Sequence, residues 1–382
     1  MKRLGILTGG GDVPGLNAAI KIVTELAIKN NFEVFGFKRG WAGPLSVISD
    51  PEKDNSDYVI NLTLDRVRKI SRTGGTFLHS SRTNPTNVRE KELPDHLQDK
   101  FKKFPIDLTD LVVKNLKYLG IDVLITIGGD DTLSFSGRLN KEGIKVVAIP
   151  KTMDNDVWGT EYCIGFATAV TRGVNLVTDF RTPVGSHERF GVVEAFGRYA
   201  GFTSWYIGYL AETDRIIIPE VKFDVKRLAG LLQKDRKKNP SNYALVIVSE
   251  GAIPLDGKMS LSGEKDAFGH KKLGGMGKQI ADEMQNITGI KHMFQNLGYL
   301  MRSGAPVAFD MMVAKTFGIM AFQQVLKGNF GVMTAIKNGK YDLTKIEDMA
   351  GKTREFDHTS LYDESEYTPN IENVEGLPLF GF

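Results

Sequence analysis

Cysteine is almost missing from this chain. A single one, Cys163, stands among 382 residues, so no internal disulfide can form, and a reducing compartment is expected. Long apolar runs are missing as well: none approaches the roughly 20 residues of a membrane-spanning helix. Lysine and arginine exceed aspartate and glutamate only by 49 to 46. That net charge of +3 gives no global field toward nucleic acid or an anionic membrane. The first residues, MKRLGILTGGG, hold two basic side chains and a strand-length apolar run, but glycines follow where a secretory signal would stay apolar. A soluble, cytoplasmic protein is the expectation, with neither nucleic acid nor membrane as partner. Catalytic signatures are missing too. Six scattered histidines show no H-E-x-x-H spacing, and IVSEG at 247–251 lacks the first glycine of a serine-hydrolase elbow. There is no G-x-x-x-x-G-K-[ST] loop and no G-x-G-x-x-G dinucleotide fingerprint at the first strand.

With 41% hydrophobic and 25% charged residues, the chain reads as globular and, at 382 residues, as too long for one core. Its organising stretch is Ile121–Val157, IDVLITIGGDDTLSFSGRLNKEGIKVVAIPKTMDNDV. Two apolar runs, Val123–Ile127 and Lys145–Ile149, have the length of buried parallel strands. A helix-length segment from Thr132 to Glu142 lies between them and is stopped by Gly143, which makes a βαβ unit. Each strand ends on an acidic loop, GGDDT at 128–132 and PKTMDNDV at 150–157. Ligands gather at the carboxyl ends of strands in an open parallel sheet. Asp130, Asp131, Asp154 and Asp156 are therefore expected around one crevice. Carboxylates crowded in this way need a cation, protons or functional partners.

The alternation continues along the chain. Arg3–Thr8 reads as a first strand and Leu16–Asn30 as an amphipathic helix. GGGDVPGLN joins them, and its backbone can present N–H groups to an anion, Gly11 above all. A strand at 33–38 leads toward SRTGGTFLHSSRTNP at 71–85, a glycine turn flanked by Arg72 and Arg82; a guanidinium fork suits phosphate oxygens. Phe166–Phe180 is expected as a helix, and Phe190–Ala195 as a strand running into FGRYAG between Arg189 and Arg198. Further strands are expected at Arg215–Pro219, at Tyr243–Ser249 with Glu250 at its end, and near 331–335. Helices are expected at Val225–Lys238, whose basic run reads as a solvated face, at 274–289 and up to Lys327. The stretch 296–310 reads as a strand, a turn and a helix start. The tail from Thr353, acidic and rich in turn residues, is expected to pack irregularly on the surface. The fold class is α/β, with two Rossmann-like lobes of mainly parallel, doubly wound sheets.

TGGGDVPGLN, GGDDT, PKTMDNDV and FGRYAG follow one another in an order, and over nearly the whole chain, that resembles the phosphofructokinase family. The resemblance implies transfer of a phosphoryl group to the 1-hydroxyl of fructose 6-phosphate, with Mg2+ as cofactor. It implies a phosphoryl-donor lobe at 1–165, completed by about 302–350, a sugar-phosphate lobe at 166–301 and a C-terminal surface segment at 351–382. Asp154 would take the proton of the sugar hydroxyl, flanked by Asp156, and Asp130 would help hold the metal. Thr152 would sit beside the transferred group and Arg198 would offset its developing charge. Gly11 and Arg82 would face the donor. Arg302 and Tyr299 would take the 6-phosphate end, and Met153, Phe196, Gly197 and Glu250 the sugar. Arg189 would come from a neighbouring subunit of a homodimer or homotetramer.

Two charges bear on the donor. ATP-using members commonly have glycine at the positions of Asp131 and Lys151. A carboxylate at 131 repels the α-phosphate of a nucleotide, and an ammonium at 151 neutralises a departing phosphate. A plain ion pair of the two would spoil the fit of ATP equally. The pair resembles the pyrophosphate-dependent branch, so pyrophosphate is the expected donor. An ATP-dependent phosphofructokinase and a non-catalytic regulatory subunit of the same fold are the alternatives. Other positions depart from the family. Lys21 and Glu25 stand where many bacterial ATP enzymes place two effector-binding arginines, so no such regulation is expected. Met293 stands where an arginine is common, and MRSG at 301–304 and AFDM at 308–311 also differ. These changes leave sedoheptulose 7-phosphate open as an acceptor.

Overall fold

The computed structural model describes residues 1–255, 257, 261–265, 271–273, 275–372 and 374–376, the two short stretches within 261–273 by their backbone alone. In chain order the strands are β1 (Lys2–Thr8), β2 (Phe32–Phe37), β3 (Val59–Asn61), β4 (Val123–Gly128), β5 (Val146–Pro150), β6 (Phe190–Ala195) and β7 (Arg215–Ile217). They continue as β8 (Ala244–Ser249), β9 (Leu261–Lys265), β10 (Lys271–Leu273), β11 (His292–Asn296), β12 (Val332–Lys337) and β13 (Lys340–Lys345), with a short antiparallel pair, β14 (Tyr362–Asp363) and β15 (Thr368–Pro369), in the tail.

One sheet has the order β13-β12-β5-β4-β1-β2-β3. Its inner strands are parallel, and the edge strands β13 and β3 run antiparallel to their neighbours. A second sheet, β11-β6-β8-β7, is parallel throughout. Strands β4, β5, β6 and β8 are buried along their whole length, which is why they read as continuous apolar runs rather than alternating ones. The helices Leu16–Lys29 and Ala308–Lys327 pack together against the first sheet. At the start of the latter, fully buried Asp310 accepts hydrogen bonds from Tyr162 Oη, the Gly165 and Thr168 amides (2.7 Å each) and Thr168 Oγ1 (2.6 Å). It thereby caps the helix Phe166–Ser186, whose first amides have no partner within the helix. Among the described residues no helix is long and apolar enough to cross a membrane.

Several elements differ from the sequence reading. The helix after β4 begins at Asp130 rather than Thr132, so both aspartates occupy its first turn, where acidic side chains suit the helix dipole. The strand expected at the start of 296–310 lies earlier, as β11, and Gly298–Arg302 forms a 3₁₀ turn opened by Gly298 at φ +44. The helix from Phe166 runs through Pro183 to Ser186, because Val177 and Val184 carry its buried stripe onward. The tail was expected on the surface; instead Phe356, Leu361, Tyr362 and Tyr367 are buried. Phe356 meets Phe202 edge-on at 5.6 Å and Trp205 at 5.2 Å, and Arg215 is bonded to both Asp235 (2.7 Å) and Glu366 (2.9 Å). Its acidic residues stay outside while its aromatics fill the flank of the second sheet.

Candidate active site

The loops after β1, β4 and β5 in the first sheet and after β6, β8 and β11 in the second line one cavity of about 750 Å³. It lies where ligands bind in parallel α/β sheets, outside the carboxyl ends of the strands.

The glycine turn after β1 is fixed by its first amides: Gly9 N donates to Ile127 O (2.9 Å) and Gly10 N to Ser81 O (3.0 Å). Gly10 takes φ +78, a conformation strained for other residues, and a Cβ at Gly11 would lie 2.2 Å from Nη1 of Arg302. Asn17, the last residue of TGGGDVPGLN, donates to Thr73 Oγ1 (3.1 Å) and accepts from Phe77 N (2.6 Å). That link ties the 71–85 loop to the turn, and the loop brings Arg82 to the cavity.

The loop after β5 carries the densest chemistry. Lys151, 3% exposed, donates from Nζ to Gly11 O at 2.6 Å, and burial together with Arg302 lowers its pKa to about 7. Thr152 Oγ1 accepts from Asp154 N (3.2 Å). Asn155 sits in the left-handed region at φ 56, accepting from Cys163 N (2.8 Å) and donating to Glu161 O (3.1 Å). This reversal allows Asp154 and Asp156, on either side of it, both to line the cavity. Burial holds the Asp154 carboxyl above the usual range, against the pull of Arg302, Arg198, Lys151 and Arg82. Its Oδ1 is buried with no hydrogen-bond partner. Asp156 is held higher still by burial and then by Asp154 and Asp130, and burial with Asp131 raises Asp130 to about 7.

Across the cavity, Glu250 N donates to Ala195 O (2.9 Å) and Gly251 N to Gly197 O (3.1 Å), so the loops after β6 and β8 are knitted together. Burial, then Asp154, raises the Glu250 carboxyl to about 7. The Arg302 guanidinium lies over Phe196 (4.9 Å) and Tyr299 (5.6 Å), with Nε 3.0 Å from Met153 Sδ.

Of the residues singled out in the sequence for catalysis, phosphate, sugar or metal, all line this cavity except Arg72, Arg189 and Gly197. Gly197 lies just behind it at φ +133, its carbonyl also accepting from Ser249 Oγ (3.1 Å). Arg189 stands at the amino end of β6, the opposite end of that strand, and Arg72 is exposed outside the cavity. Glu194, Asn296 and Thr353 line the cavity without having been anticipated. Glu194, 1% exposed, accepts from Gly277 N (2.8 Å) and from Asn296 Nδ2. An acid inside the apolar strand FGVVEA was its available signal; Thr353, at the head of an acidic, turn-rich tail, gave none.

Among the described residues, no group of three or more His, Cys, Asp or Glu could by itself hold a metal ion. The donor set nevertheless suits a hard cation that takes most of its oxygens from a ligand and water. Asp130 and Asp131 repel each other at the mouth of a helix, and the orphaned Asp154 Oδ1 points to a missing partner. Carboxylates interleaved with Arg82, Lys151, Arg198 and Arg302 can bind a polyanion together with its cation and can take up a proton beside it.

The family model described as Phosphofructokinase matches residues 3–325. A pyrophosphate–fructose 6-phosphate 1-phosphotransferase of Amycolatopsis mediterranei is 38% identical over 354 residues, covering 92% of this chain and 95% of that protein. An ATP-dependent 6-phosphofructokinase 2 of Clostridium perfringens is 34% identical over 361 residues, with 94% of each chain covered. Among solved structures, a pyrophosphate-dependent phosphofructokinase from Nitrosospira multiformis superposes with a TM-score of 0.76 over 99% of this chain and 95% of that one; at 20% identity the likeness speaks for the fold.

Proposed function

Because the chain belongs to the phosphofructokinase family, we propose that it transfers a phosphoryl group from pyrophosphate to the 1-hydroxyl of fructose 6-phosphate, reversibly and with Mg2+, giving fructose 1,6-bisphosphate and phosphate. The observation that carries the choice of donor is Lys151, buried on the Gly11 carbonyl at 2.6 Å in a cavity that Asp131 also lines. An ammonium there meets a terminal phosphate and occupies room that a nucleotide would need.

In this reading, residues 1–165 with about 302–350 hold the donor and 166–301 hold the sugar phosphate. The backbone at Gly11 and the Arg82 guanidinium bind the diphosphate. Asp154 accepts the proton of the 1-hydroxyl as its oxygen bonds to phosphorus, while the bridging P–O bond breaks toward the phosphate held by Lys151. Thr152 lies beside the transferred group, Asp156 supports the base, and Arg198 offsets the charge that develops. Asp130 would hold Mg2+ with phosphate oxygens and water; when bound, the ion neutralises phosphate charge. Glu250, Met153, Phe196 and Gly197 take the sugar, and Tyr299 and Arg302 its 6-phosphate. Arg189 serves a neighbouring subunit in a homodimer or homotetramer. Lys21 donates to Arg68 O (2.7 Å) and lies 3.7 Å from Glu25, which supports the expectation that this helix holds no anionic effector.

Initial rates with fructose 6-phosphate and Mg2+, pyrophosphate against ATP, test the reading. Turnover with pyrophosphate is expected. Turnover with ATP alone would remove the donor assignment, and none with either would remove the phosphotransferase.

The pKa shifts predict opposite pH limbs. Lys151, lowered to about 7, loses its charge in the free enzyme as pH rises through that value, so kcat/KM for pyrophosphate should fall there. Glu250, raised to about 7, offers sugar hydroxyls two charged acceptor oxygens once deprotonated, so kcat/KM for fructose 6-phosphate should rise through the same range. Profiles for the two substrates that share one shape would contradict these roles.

A further inference from the structure

We propose that Arg354 is a positioning residue for phosphoryl transfer, holding the turn of Asp154 and Asp156 against the turn that carries Arg198. The inference rests on the function proposed above. It concerns a segment beyond residue 325, the last that the family model matches.

Residues 353–356 bridge the loops of the two sheets. Thr353 forms an antiparallel bridge with Val157 and lines the cavity. Arg354 N donates to Asp156 O (2.8 Å), and its Nη1 donates to Asn155 O (3.3 Å) and Glu161 O (2.8 Å). Its Cζ lies 4.3 Å from the ring centroid of Phe202, the first residue of the helix Phe202–Leu210 that follows the FGRYAG turn. Two residues on, Phe356 N donates to Glu220 Oε1 (3.3 Å), which also accepts from Gly201 N (2.7 Å) at the end of that turn. The strap therefore holds the base-carrying turn on one side and the Arg198 turn on the other.

The chemistry of the contact is specific to a guanidinium. Two carbonyls, of Asn155 and Glu161, converge on one nitrogen while the planar group stacks on an aromatic face. A lysine can reach a carbonyl but offers no plane. The held residue is also one that needs holding. Asn155 has φ 56, and a residue in the left-handed region persists only where its surroundings over-determine it. Its own side chain supplies one restraint through Cys163 N, and Arg354 on its carbonyl supplies another. If the turn relaxes, Asp154 moves relative to the acceptor hydroxyl, and a displacement of about 1 Å costs up to roughly 10²-fold in rate. Binding of the diphosphate, which uses Gly11, Arg82 and Lys151, should change far less.

The experiment compares the parent enzyme with Arg354→Met and Arg354→Lys in the full chain, by steady-state kinetics, thermal melting and circular dichroism. Arg354→Met is expected to lose about 10–100-fold in kcat with KM for pyrophosphate within about threefold, and to recover part of that loss in millimolar guanidinium. Arg354→Lys is expected to fold as the parent does, to lose about tenfold in kcat and to ignore added guanidinium. A parent-like kcat in Arg354→Lys, or in folded Arg354→Met, overturns the proposal. So does a loss that only follows the folded fraction and that guanidinium leaves unchanged. The parent separates the two readings: variants matching an active parent overturn the positioning role alone, and a parent inactive with every donor overturns both.

Discussion

Replacing Asp154 with asparagine is expected to lower kcat by roughly 10²–10⁴-fold, the worth of a well-placed general base, with little change in KM for pyrophosphate. Asparagine keeps the size of the side chain and loses the site for the proton. Nothing in the ligand-free fold depends on Oδ1, which is buried without a hydrogen-bond partner. Removing a carboxyl that burial holds above its usual range should leave the melting temperature unchanged or raised, because the cost of desolvating the charge disappears. The two readouts together are diagnostic. Steady-state kinetics and a thermal melt on one preparation would show a stable, well-folded and nearly inactive protein. A kcat within tenfold of the parent would mean that another group takes the proton, and a lowered melting point would mean that Asp154 is structural.

The paired substitution Asp131→Gly and Lys151→Gly should change the donor. Loss of the ammonium should reduce kcat/KM for pyrophosphate by about 10²–10³, the typical cost of one preorganised charge at the leaving group. Measurable turnover with ATP should appear in the same protein. The geometry supports both halves. Lys151 Nζ sits on Gly11 O at 2.6 Å, and a Cβ at Gly10 would lie only 3.4 Å from it, so the side chain fills the room beside the glycine turn. Deleting it opens that room at the phosphate-binding backbone, and deleting the Asp131 carboxylate removes the repulsion of a third phosphate. The single variant Lys151→Gly, which keeps the carboxylate, should lose pyrophosphate activity without gaining ATP activity. Parallel assays with the two donors decide it: a double variant that still uses pyrophosphate alone would show that selectivity lies elsewhere in the cavity.

How far the chain could be read from its residues depended on local pattern. The unit from β4 to β5 was legible because both strands are buried throughout and the acidic loops interrupt apolar runs abruptly. The placing of Asp130 and Asp131 within a helix was not, since GGD reads as a turn and only the extended Gly129 converts it into an N-cap. The place of Gly197 behind the cavity was not legible either, since its carbonyl is held by Ser249 Oγ and Gly251 N, both distant from FGRYAG in the chain. Arg354 was invisible because its contacts come from residues distant in the chain. No periodicity records that an arginine in an acidic tail will meet the carbonyl of Asn155.

That separation has a consequence for how the protein is made. Arg354 is bonded to residues 193 and 199 positions before it. At about 5–20 residues per second of synthesis, the TMDND segment exists for roughly 10–40 seconds before Arg354 is added. For most of that interval β12 is also still to come, so the first sheet lacks its neighbour beside β5. The nascent chain then holds its glycine turns and carboxylates, but the turn at Asn155 has no Arg354 on its carbonyl. Under the role proposed for Arg354, full turnover therefore waits for a residue made 199 positions after the Asn155 carbonyl it holds.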